Sequence, residues 1–334
     1  RGPAVAEDIR GEGIDLDALD STVASLAPDY YAPYSFCLHR LPVARTLWQD
    51  GPKPDAAAWV EQTAAIAAQW KRRGLPREVY IYAPDEPRPT DYPFLCDLYT
   101  RLREAVPDFP IMQTIGDPNP QDLVGLVDIW CPLTARAETE FYADRLRAGD
   151  TLWTYVCCSP KPPHANFFID QPATDHRVLF WQARKLGATG LLYWCACWWP
   201  GLPTPATGEK CFPDVPIDLA NAKTYQSFKA NGDGLLVYAG PDWTPYSSIR
   251  LEIIRDGVED YEYLALLADL VEKAKAELAE QRPDGALIRE AESLCLVPDS
   301  ITRTMTDYTK DPQQLLDRRR RVAEMIERLR RGKP

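Results

Sequence analysis

Two adjacent carboxylates, Asp85 and Glu86, end an apolar and aromatic run and lie between Pro84 and Pro87. Each proline lacks a backbone N–H and has a fixed φ, so regular strand pairing cannot continue past this point. Acidic dipeptides are common in solvated loops. A pair at the end of an apolar strand, however, lies where parallel-sheet enzymes place their catalytic groups. We therefore predict that Asp85 and Glu86 are catalytic.

The adjacency of these carboxylates favours one kind of acid catalysis. Successive side chains of a strand point to opposite faces, so both serve one pocket only if the backbone bends there. In a conventional retaining glycosidase, the nucleophile and the acid lie on either side of the glycosidic bond, about 5 Å apart, and adjacent residues fit this geometry poorly. Adjacent carboxylates fit substrate-assisted hydrolysis better, because there a 2-acetamido group of the substrate is the nucleophile.

In that scheme one carboxylate holds the substrate amide N–H and the other protonates the leaving oxygen. Glu86 is the expected acid, since burial against aromatic side chains beside an ionised neighbour would raise the pKa of this residue. Asp85 is expected to stay charged and to stabilise the positive oxazolinium-like intermediate. A conventional two-carboxylate glycosidase, with Asp117 or Asp128 as a distant partner of Glu86, is an alternative and predicts cleavage of substrates without the acetamido group.

The elements that must position these residues alternate along the chain. Apolar and β-branched runs separated by amphipathic segments predict βα units and a parallel sheet. No Gly-rich phosphate loop follows the first strand, which argues against an open doubly wound sheet. The predicted strands are residues 34–40, 78–84, 110–115, 127–133, 151–157, 190–196 and 234–239, and the predicted helices are residues 55–73, 91–105, 136–148, 173–187 and 256–282.

These elements predict an α/β fold of the TIM-type (β/α)8 barrel class. Seven strands are found, so we expect the eighth before Arg1 or within the first 30 residues. We predict a catalytic barrel domain over residues 1–282 and a C-terminal helical extension over residues 283–334 that packs on the barrel. The Pro- and Gly-rich stretch 199–220 follows a strand and is the kind of loop that builds barrel active sites.

Aromatic side chains near predicted strand ends are candidate substrate-binding residues. Flat rings often line clefts for ring-shaped ligands, although most of them fill cores. The candidates are Trp153, Tyr155, Trp194 and Trp198, together with Asn166 in the proline-bounded loop after the fifth strand.

Composition excludes several classes of partner. The formal net charge of −11 argues against nucleic acid, whose phosphates require clustered Lys and Arg. No run of about 18 apolar residues is present, so we predict no membrane span. The nine Cys and three His do not have metal-site spacing, and several Cys fall within apolar runs. We predict no metal and no cofactor.

Several motifs resemble the catalytic domain of glycoside hydrolase family 123, also called the DUF4091 domain. The resemblance covers most of residues 30–282, and its last motif is specific. It rests on Asp85-Glu86-Pro87, on the segment 151–199, on residues 232–238 (GDGLLVY), on residues 248–252 (SIRLE) and on residues 255–263 (RDGVEDYEY).

The resemblance implies a β-N-acetylgalactosaminidase acting on a glycan with a terminal β-linked N-acetylhexosamine. It further implies that Asp85 orients the acetamido group and that Glu86 is the acid/base. Family members usually carry a β-sandwich region upstream of the barrel, for which this sequence shows no counterpart. A β-N-acetylglucosaminidase, or a hydrolase of another 2-acetamido sugar, would use the same chemistry, and a non-catalytic carbohydrate-binding barrel is an alternative from another functional class.

The motif over residues 250–263 is crowded with charge. Arg255 and Asp256 stand near Glu259 and Glu262 at helical spacing. We interpret this segment as a helix that forms internal ion pairs with the barrel, because charges three and four apart share a helix face.

Overall fold

The computed structural model describes residues 34–37, 55–72, 79–82, 84–197, 229–239, 245–278 and 285–331. The chain forms two compact units. The first unit comprises Arg1–Pro132 and Thr139–Leu152, and the second comprises Leu133–Glu138 and Trp153–Pro334. This division lies within the predicted barrel, so the predicted domain boundary after residue 282 stays a prediction.

The first unit contains five parallel strands that pair in chain order. They are β1 (Tyr34–Cys37), β2 (Val79–Tyr82), β3 (Ile111–Ile115), β4 (Ile129–Pro132) and the first two residues of β5 (Thr151–Val156). A doubly wound sheet reverses its strand order at a switch point, and this order does not reverse. The α/β class with a parallel sheet is therefore confirmed, while closure into an eight-stranded barrel stays a prediction.

Three helices of the first unit are α1 (Ala56–Arg72), α2 (Tyr92–Ala105) and α3 (Glu140–Arg147). Asp55 caps the start of α1, because its carboxylate accepts a hydrogen bond of 2.9 Å from the N–H of Ala57. Trp59, Ala67 and Trp70 recur on one face of α1 and are buried, as their helical spacing predicts.

In the second unit, the remainder of β5 pairs in parallel with β6 (Gly190–Tyr193). Four helices follow along the chain: α4 (Ala173–Leu186), α5 (Ile249–Leu278), α6 (Gly285–Cys295) and α7 (Pro312–Arg331). The helix that we predicted to begin at residue 256 begins at Ile249. Ser248 starts it earlier, because its hydroxyl accepts a hydrogen bond of 3.2 Å from the N–H of Leu251.

The core of the second unit lies where α4, α5 and the two C-terminal helices pack together. Trp181 of α4, Leu267 of α5, Ala291 of α6 and Val322 of α7 are all buried in one apolar cluster. The C-terminal region contains two helices that bury their apolar faces against α5, while its role as an extension packed on a barrel stays a prediction.

The seventh predicted strand, residues 234–239, is wrong as a member of the parallel sheet. Only Tyr238–Ala239 (β7) forms a strand, and it pairs antiparallel with Pro245–Tyr246 (β8). Gly232 and Gly234 both have φ of +76°, a left-handed conformation that turns the chain just before this run. The apolar residues that follow resemble a buried strand in composition but begin from a turn.

A close contact between α4 and α5 gives a prediction on stability. A Cβ atom at Gly257 would lie 2.2 Å from Cδ2 of Phe180, so Gly257→Ala is expected to destabilise the fold by about 1–3 kcal/mol through overpacking. In an exposed helix the same change would stabilise by about 0.5–1 kcal/mol. Urea unfolding measures the difference, with Val258→Ala at the neighbouring exposed position as control. An unchanged or higher midpoint for Gly257→Ala would contradict the prediction.

Candidate active site

The two predicted catalytic residues lie in a bend immediately after β2. Pro84, Asp85 and Glu86 form this bend, and Asp85 and Glu86 are both exposed. The expected burial of Glu86 against aromatic side chains is therefore wrong, because the bend turns this residue toward solvent. Glu86 has φ of +45°, in the left-handed region that non-glycine residues rarely adopt. Such strain persists only where surrounding contacts hold it, and it clusters at functional sites. The predicted bend is thus present, and it turns the chain at the second carboxylate.

Asp85 is held through one of its two oxygens. Its Oδ1 accepts a hydrogen bond of 2.6 Å from the phenol of Tyr82 and one of 2.8 Å from the hydroxyl of Thr114. Tyr82 ends β2 and Thr114 belongs to the neighbouring strand β3. Among the described residues Asp85 makes no ion pair, and its Oδ2 receives no hydrogen bond. This second oxygen can therefore accept a hydrogen bond from a ligand.

The buried side-chain amide of Gln113 binds the backbone of the bend. The side-chain nitrogen of Gln113 donates a hydrogen bond of 2.7 Å to the carbonyl oxygen of Pro84, the residue before Asp85. The oxygen of the same amide accepts a hydrogen bond from the phenol of Tyr99 on α2. Gln113 is fully buried, so its polar atoms must find partners inside the protein. Its bonds connect the core of the first unit to the backbone of the bend.

The groups around Asp85 are neutral hydrogen-bond donors. Burial raises the pKa of Tyr82 well above its usual value, and the Asp85 charge raises it further, so the phenol keeps its proton. Burial likewise raises the pKa of the Cys131 thiol, with a smaller contribution from Asp85. Cys131 is therefore a protonated thiol and not a nucleophile.

Asp117 and Asp128, the alternative partners of Glu86, occupy different ends of the sheet. Asp117 follows β3, where its carboxylate accepts hydrogen bonds of 2.9 Å from the phenol of Tyr92 and from the N–H of Asn119. Asp128 precedes β4, and its carboxylate accepts a hydrogen bond of 2.8 Å from the N–H of Ile111, the first residue of β3.

Strand register measures how far Asp128 lies from the bend. Ile111 pairs with Ile81, four residues before Asp85, so Asp128 lies about 13 Å from the bend along the strand direction. That distance exceeds the separation of paired carboxylates in either class of glycosidase, about 5–9.5 Å. Strand geometry therefore disfavours Asp128 as a catalytic partner, and its carboxylate ties β3 to β4.

The second unit carries an aromatic side chain with a buried anchor. Trp194 follows β6 with 38% of its surface exposed, and its indole N–H donates a hydrogen bond of 3.0 Å to the Oδ1 atom of Asp233. Tyr193 donates to the same oxygen at 3.0 Å. Asp233 is only 1% exposed, and burial raises its pKa although both donors oppose this shift. An exposed ring held in one orientation is suited to contact a ligand.

Sequence reasoning did not single out Asp233. Its sequence signals are its place in the motif over residues 232–238 and its position between Gly232 and Gly234, which both adopt positive φ. A polar residue inside such a turn usually faces solvent. Here the turn points the carboxylate inward, onto Tyr193 and Trp194, and no local pattern predicts that direction.

The other predicted substrate-binding residues have mainly structural surroundings. Asn166 is fully buried, and its amide nitrogen donates to the carbonyl oxygens of Cys157 and Pro160 at 3.0 and 2.9 Å. Tyr155 is also buried, in β5. The ring of Trp153 covers Gly190 on β6, where a Cβ atom would lie 2.6 Å from it. Trp198 lies outside the described residues.

These surroundings indicate which of the predicted residues are better placed to contact a substrate. The bonds of Asn166 favour a role in shaping the loop after β5, because a sugar hydroxyl would have to replace a backbone partner. Burial in β5 favours a packing role for Tyr155, because its ring has little surface left for a sugar. Contact of either residue with a sugar stays a prediction that its surroundings do not favour, whereas the exposure of Trp194 favours it.

The charged motif over residues 250–263 belongs to α5 and lies at the interface of this helix with α4. Asp260 is buried, and both of its oxygens bind the guanidinium of Arg177 from α4, at 2.6 and 2.8 Å. Arg319 of α7 lies 3.3 Å from the same carboxylate. Internal ion pairing of this helix is therefore confirmed, and removal of either arginine would be costly because it would leave the buried carboxylate with less compensating charge.

Arg250, at the start of this motif, differs from the predicted pattern. Its guanidinium is buried and donates to the backbone oxygens of Phe167, Gly232 and Leu235. It therefore fixes the turn that carries Asp233. The motif thus includes one helix-to-helix ion pair and one arginine that organises a loop.

Two predicted absences can be examined in the described parts of the chain. Among those residues no group of three His, Cys, Asp or Glu side chains is arranged to hold a metal ion. Within the same ranges, no helix has the length and apolar character that crossing a bilayer requires.

Comparison with known proteins identifies the family. The sequence-family model for the catalytic domain of glycoside hydrolase 123 matches residues 54–267. A solved family 123 glycoside hydrolase from Clostridium perfringens, studied for glycolipid glycan hydrolysis, resembles the chain with a TM-score of 0.55 and 17% identity, over 84% of this chain and 47% of that one. This chain thus spans about half the length of that protein. No curated protein matches the sequence. Since the family model covers more than half of the residues, the protein belongs to glycoside hydrolase family 123.

Proposed function

We propose that this protein is a retaining glycoside hydrolase that removes β-linked N-acetylgalactosamine from glycans by substrate-assisted catalysis. The observation that carries the proposal is the pair of exposed carboxylates in the bend after β2, with Asp85 fixed through one oxygen. Its other oxygen is available to accept a hydrogen bond from a substrate amide. Membership of glycoside hydrolase family 123 supports glycosidic bonds as the target.

The first step breaks the glycosidic bond. The carbonyl oxygen of the 2-acetamido group attacks the anomeric carbon while Glu86 donates its proton to the departing glycosidic oxygen. The oxygen of Asp85 that faces the substrate accepts a hydrogen bond from the acetamido N–H, and its charge stabilises the oxazolinium ion. The bond between the anomeric carbon and the leaving group breaks, and a ring through the acetamido oxygen replaces it.

The second step restores the sugar and the enzyme. Glu86, now a carboxylate, removes a proton from a water molecule, and the water oxygen attacks the anomeric carbon. The bond to the acetamido oxygen breaks, and Glu86 ends the cycle protonated. Two inversions at one carbon give overall retention of configuration. No metal or cofactor enters either step.

Among the residues of the second unit, we propose that Trp194 contacts the sugar. Its exposed indole, fixed by Asp233, offers an apolar face for the ring of a carbohydrate. The similar protein from Clostridium perfringens was studied for hydrolysis of glycolipid glycans. A glycan with a terminal β-linked N-acetylhexosamine is accordingly the proposed substrate.

Three aryl glycosides test the proposal. We expect turnover of the β-N-acetylgalactosaminide and no turnover of the β-galactoside, because the latter lacks the internal nucleophile. The β-N-acetylglucosaminide differs in one hydroxyl and is expected to react about 5- to 150-fold more slowly, since a misplaced hydroxyl costs roughly 1–3 kcal/mol. Release of the phenol measures all three rates.

The possible outcomes separate the alternatives. Faster hydrolysis of the N-acetylglucosaminide would assign the protein to that sugar instead. Cleavage of the β-galactoside would exclude a mechanism that depends on the acetamido group. Binding of N-acetylgalactosamine by calorimetry without hydrolysis of any of the three substrates would indicate a carbohydrate-binding protein.

A further inference from the structure

Two hydroxyl groups on neighbouring strands meet at one oxygen of Asp85. Tyr82 comes from the end of β2 and Thr114 from β3, and their oxygens lie 3.0 Å apart. Both donate to Oδ1, at 2.6 and 2.8 Å, so the two bonds fix the rotation of the carboxylate about its Cβ–Cγ bond. Paired strands are rigid supports, and the free oxygen is thereby given a defined direction.

Thr114 also contacts the second carboxylate residue. The backbone N–H of Glu86 donates a hydrogen bond of 3.2 Å to the Thr114 hydroxyl. This hydroxyl therefore accepts from Glu86 while it donates to Asp85. Glu86 needs such support because its φ of +45° is unfavourable for a residue with a side chain. One hydroxyl thus links the orientation of Asp85 to the backbone that carries the proposed acid.

The phenol of Tyr82 is a permanent donor in this arrangement. Its pKa is raised by burial first and by the nearby Asp85 charge second, which keeps the proton on the phenol at every pH where an enzyme works. The two hydroxyls thus stabilise Asp85 without adding a positive charge that would compete with an oxazolinium ion.

We propose that Tyr82 and Thr114 are positioning residues, which orient Asp85 toward the 2-acetamido group and hold Glu86 in its left-handed backbone conformation. The proposal rests on the function proposed above, since the direction of Oδ2 matters only if a substrate amide meets it. Neither side chain has to touch the sugar. Misplacement of a catalytic group by about 1 Å can cost on the order of 10² in rate, which sets the expected size of the effect.

The test compares Tyr82→Phe, Thr114→Val and Thr114→Ser on the aryl β-N-acetylgalactosaminide. Phenylalanine and valine keep the shape and remove the hydroxyl, so we expect kcat to fall about 10- to 100-fold while KM changes little. Serine keeps the hydroxyl and is expected to recover kcat to within about threefold of the original protein. Tyr246→Phe, which removes an exposed phenol in the second unit, is the matched control.

A second readout separates positioning from a general loss of structure. A thiazoline that mimics the bicyclic intermediate should bind Tyr82→Phe at least tenfold more weakly. Inhibition by free N-acetylgalactosamine should weaken less, because its neutral amide lacks the positive charge that a correctly directed Asp85 stabilises in the intermediate. Thermal unfolding of each variant monitors the fold independently of activity.

Each result bears on one proposal in a defined way. Original kcat and thiazoline affinity in Tyr82→Phe and Thr114→Val would overturn the positioning role and leave the proposed function intact. Equal losses in Thr114→Ser and Thr114→Val would overturn it as well, because the hydroxyl would then not be the group that matters. No hydrolysis of the acetamido substrate by the unmodified protein would remove the proposed function and this inference together.

Discussion

Replacing Glu86 by glutamine is expected to lower kcat for an aryl β-N-acetylgalactosaminide by the order of 10² or more. Glutamine has nearly the same shape but carries no acidic proton, so the glycosidic oxygen must leave unprotonated. The second step also loses its base. Initial rates of phenol release by the original protein and by the variant measure the effect.

The dependence on the leaving group identifies the lost role as acid catalysis. A phenol with strongly electron-withdrawing substituents leaves without protonation, so Glu86→Gln should retain more activity on such a substrate than on an unsubstituted phenyl glycoside. Glu61→Gln, an exposed position on α1 with the same change in charge, is the matched control and should retain full activity. An equal loss on all leaving groups would contradict the role of acid.

The part of the fold that follows from local patterns could be predicted from the sequence. The first six predicted strands and all five predicted helices overlap observed elements, because apolar periodicity is a local signal. The seventh strand could not be predicted, since Tyr238–Ala239 takes an antiparallel partner from Pro245–Tyr246. A short apolar run has the same composition in either arrangement, and only its partner decides the direction.

The same distinction applies to the candidate site. Asp85 and Glu86 stand out because prolines and a strand mark their place in the chain. Thr114 lies 29 residues from Asp85 and Asp233 lies 39 residues from Trp194, so their hydrogen bonds depend on tertiary structure. Asn166 shows the converse limit, because its residue type suits a sugar contact while its amide donates to two backbone oxygens that no local pattern predicts.

The motif over residues 255–263 shows why a specific sequence pattern need not be catalytic. Gly257 allows Phe180 to approach α5 closely, and Asp260 binds Arg177 within the buried interface. Each requirement constrains residue identity as tightly as chemistry would, because close packing and buried charges tolerate few replacements. The resemblance that this motif carries is therefore a statement about fold, while the proposed chemistry rests on the bend after β2.

Asp85→Asn is expected to lower kcat for the acetamido substrate by about 10²–10³, the cost of losing one well-placed electrostatic contact in a transition state. Tyr82 and Thr114 explain why a nearly isosteric change should be so costly. Both hydroxyls donate, so they select the amide oxygen of asparagine as their acceptor and direct its NH2 group to the former position of Oδ2. That group would face the substrate N–H donor to donor, and the negative charge that stabilises the oxazolinium ion is lost.

The loss in Asp85→Asn should differ from the loss in Glu86→Gln. It is expected to persist on substrates with acidic phenols, because the missing contact assists the acetamido oxygen and not the leaving group. In the original protein, fluorination of the acetyl methyl group should slow hydrolysis, since it weakens the internal nucleophile. Asp97→Asn on α2, at an exposed position, controls for the charge change. A rate indifferent to fluorination, or an active Asp85→Asn variant, would mean that another group attacks the anomeric carbon, and Asp117 at the end of β3 would be the first residue to test.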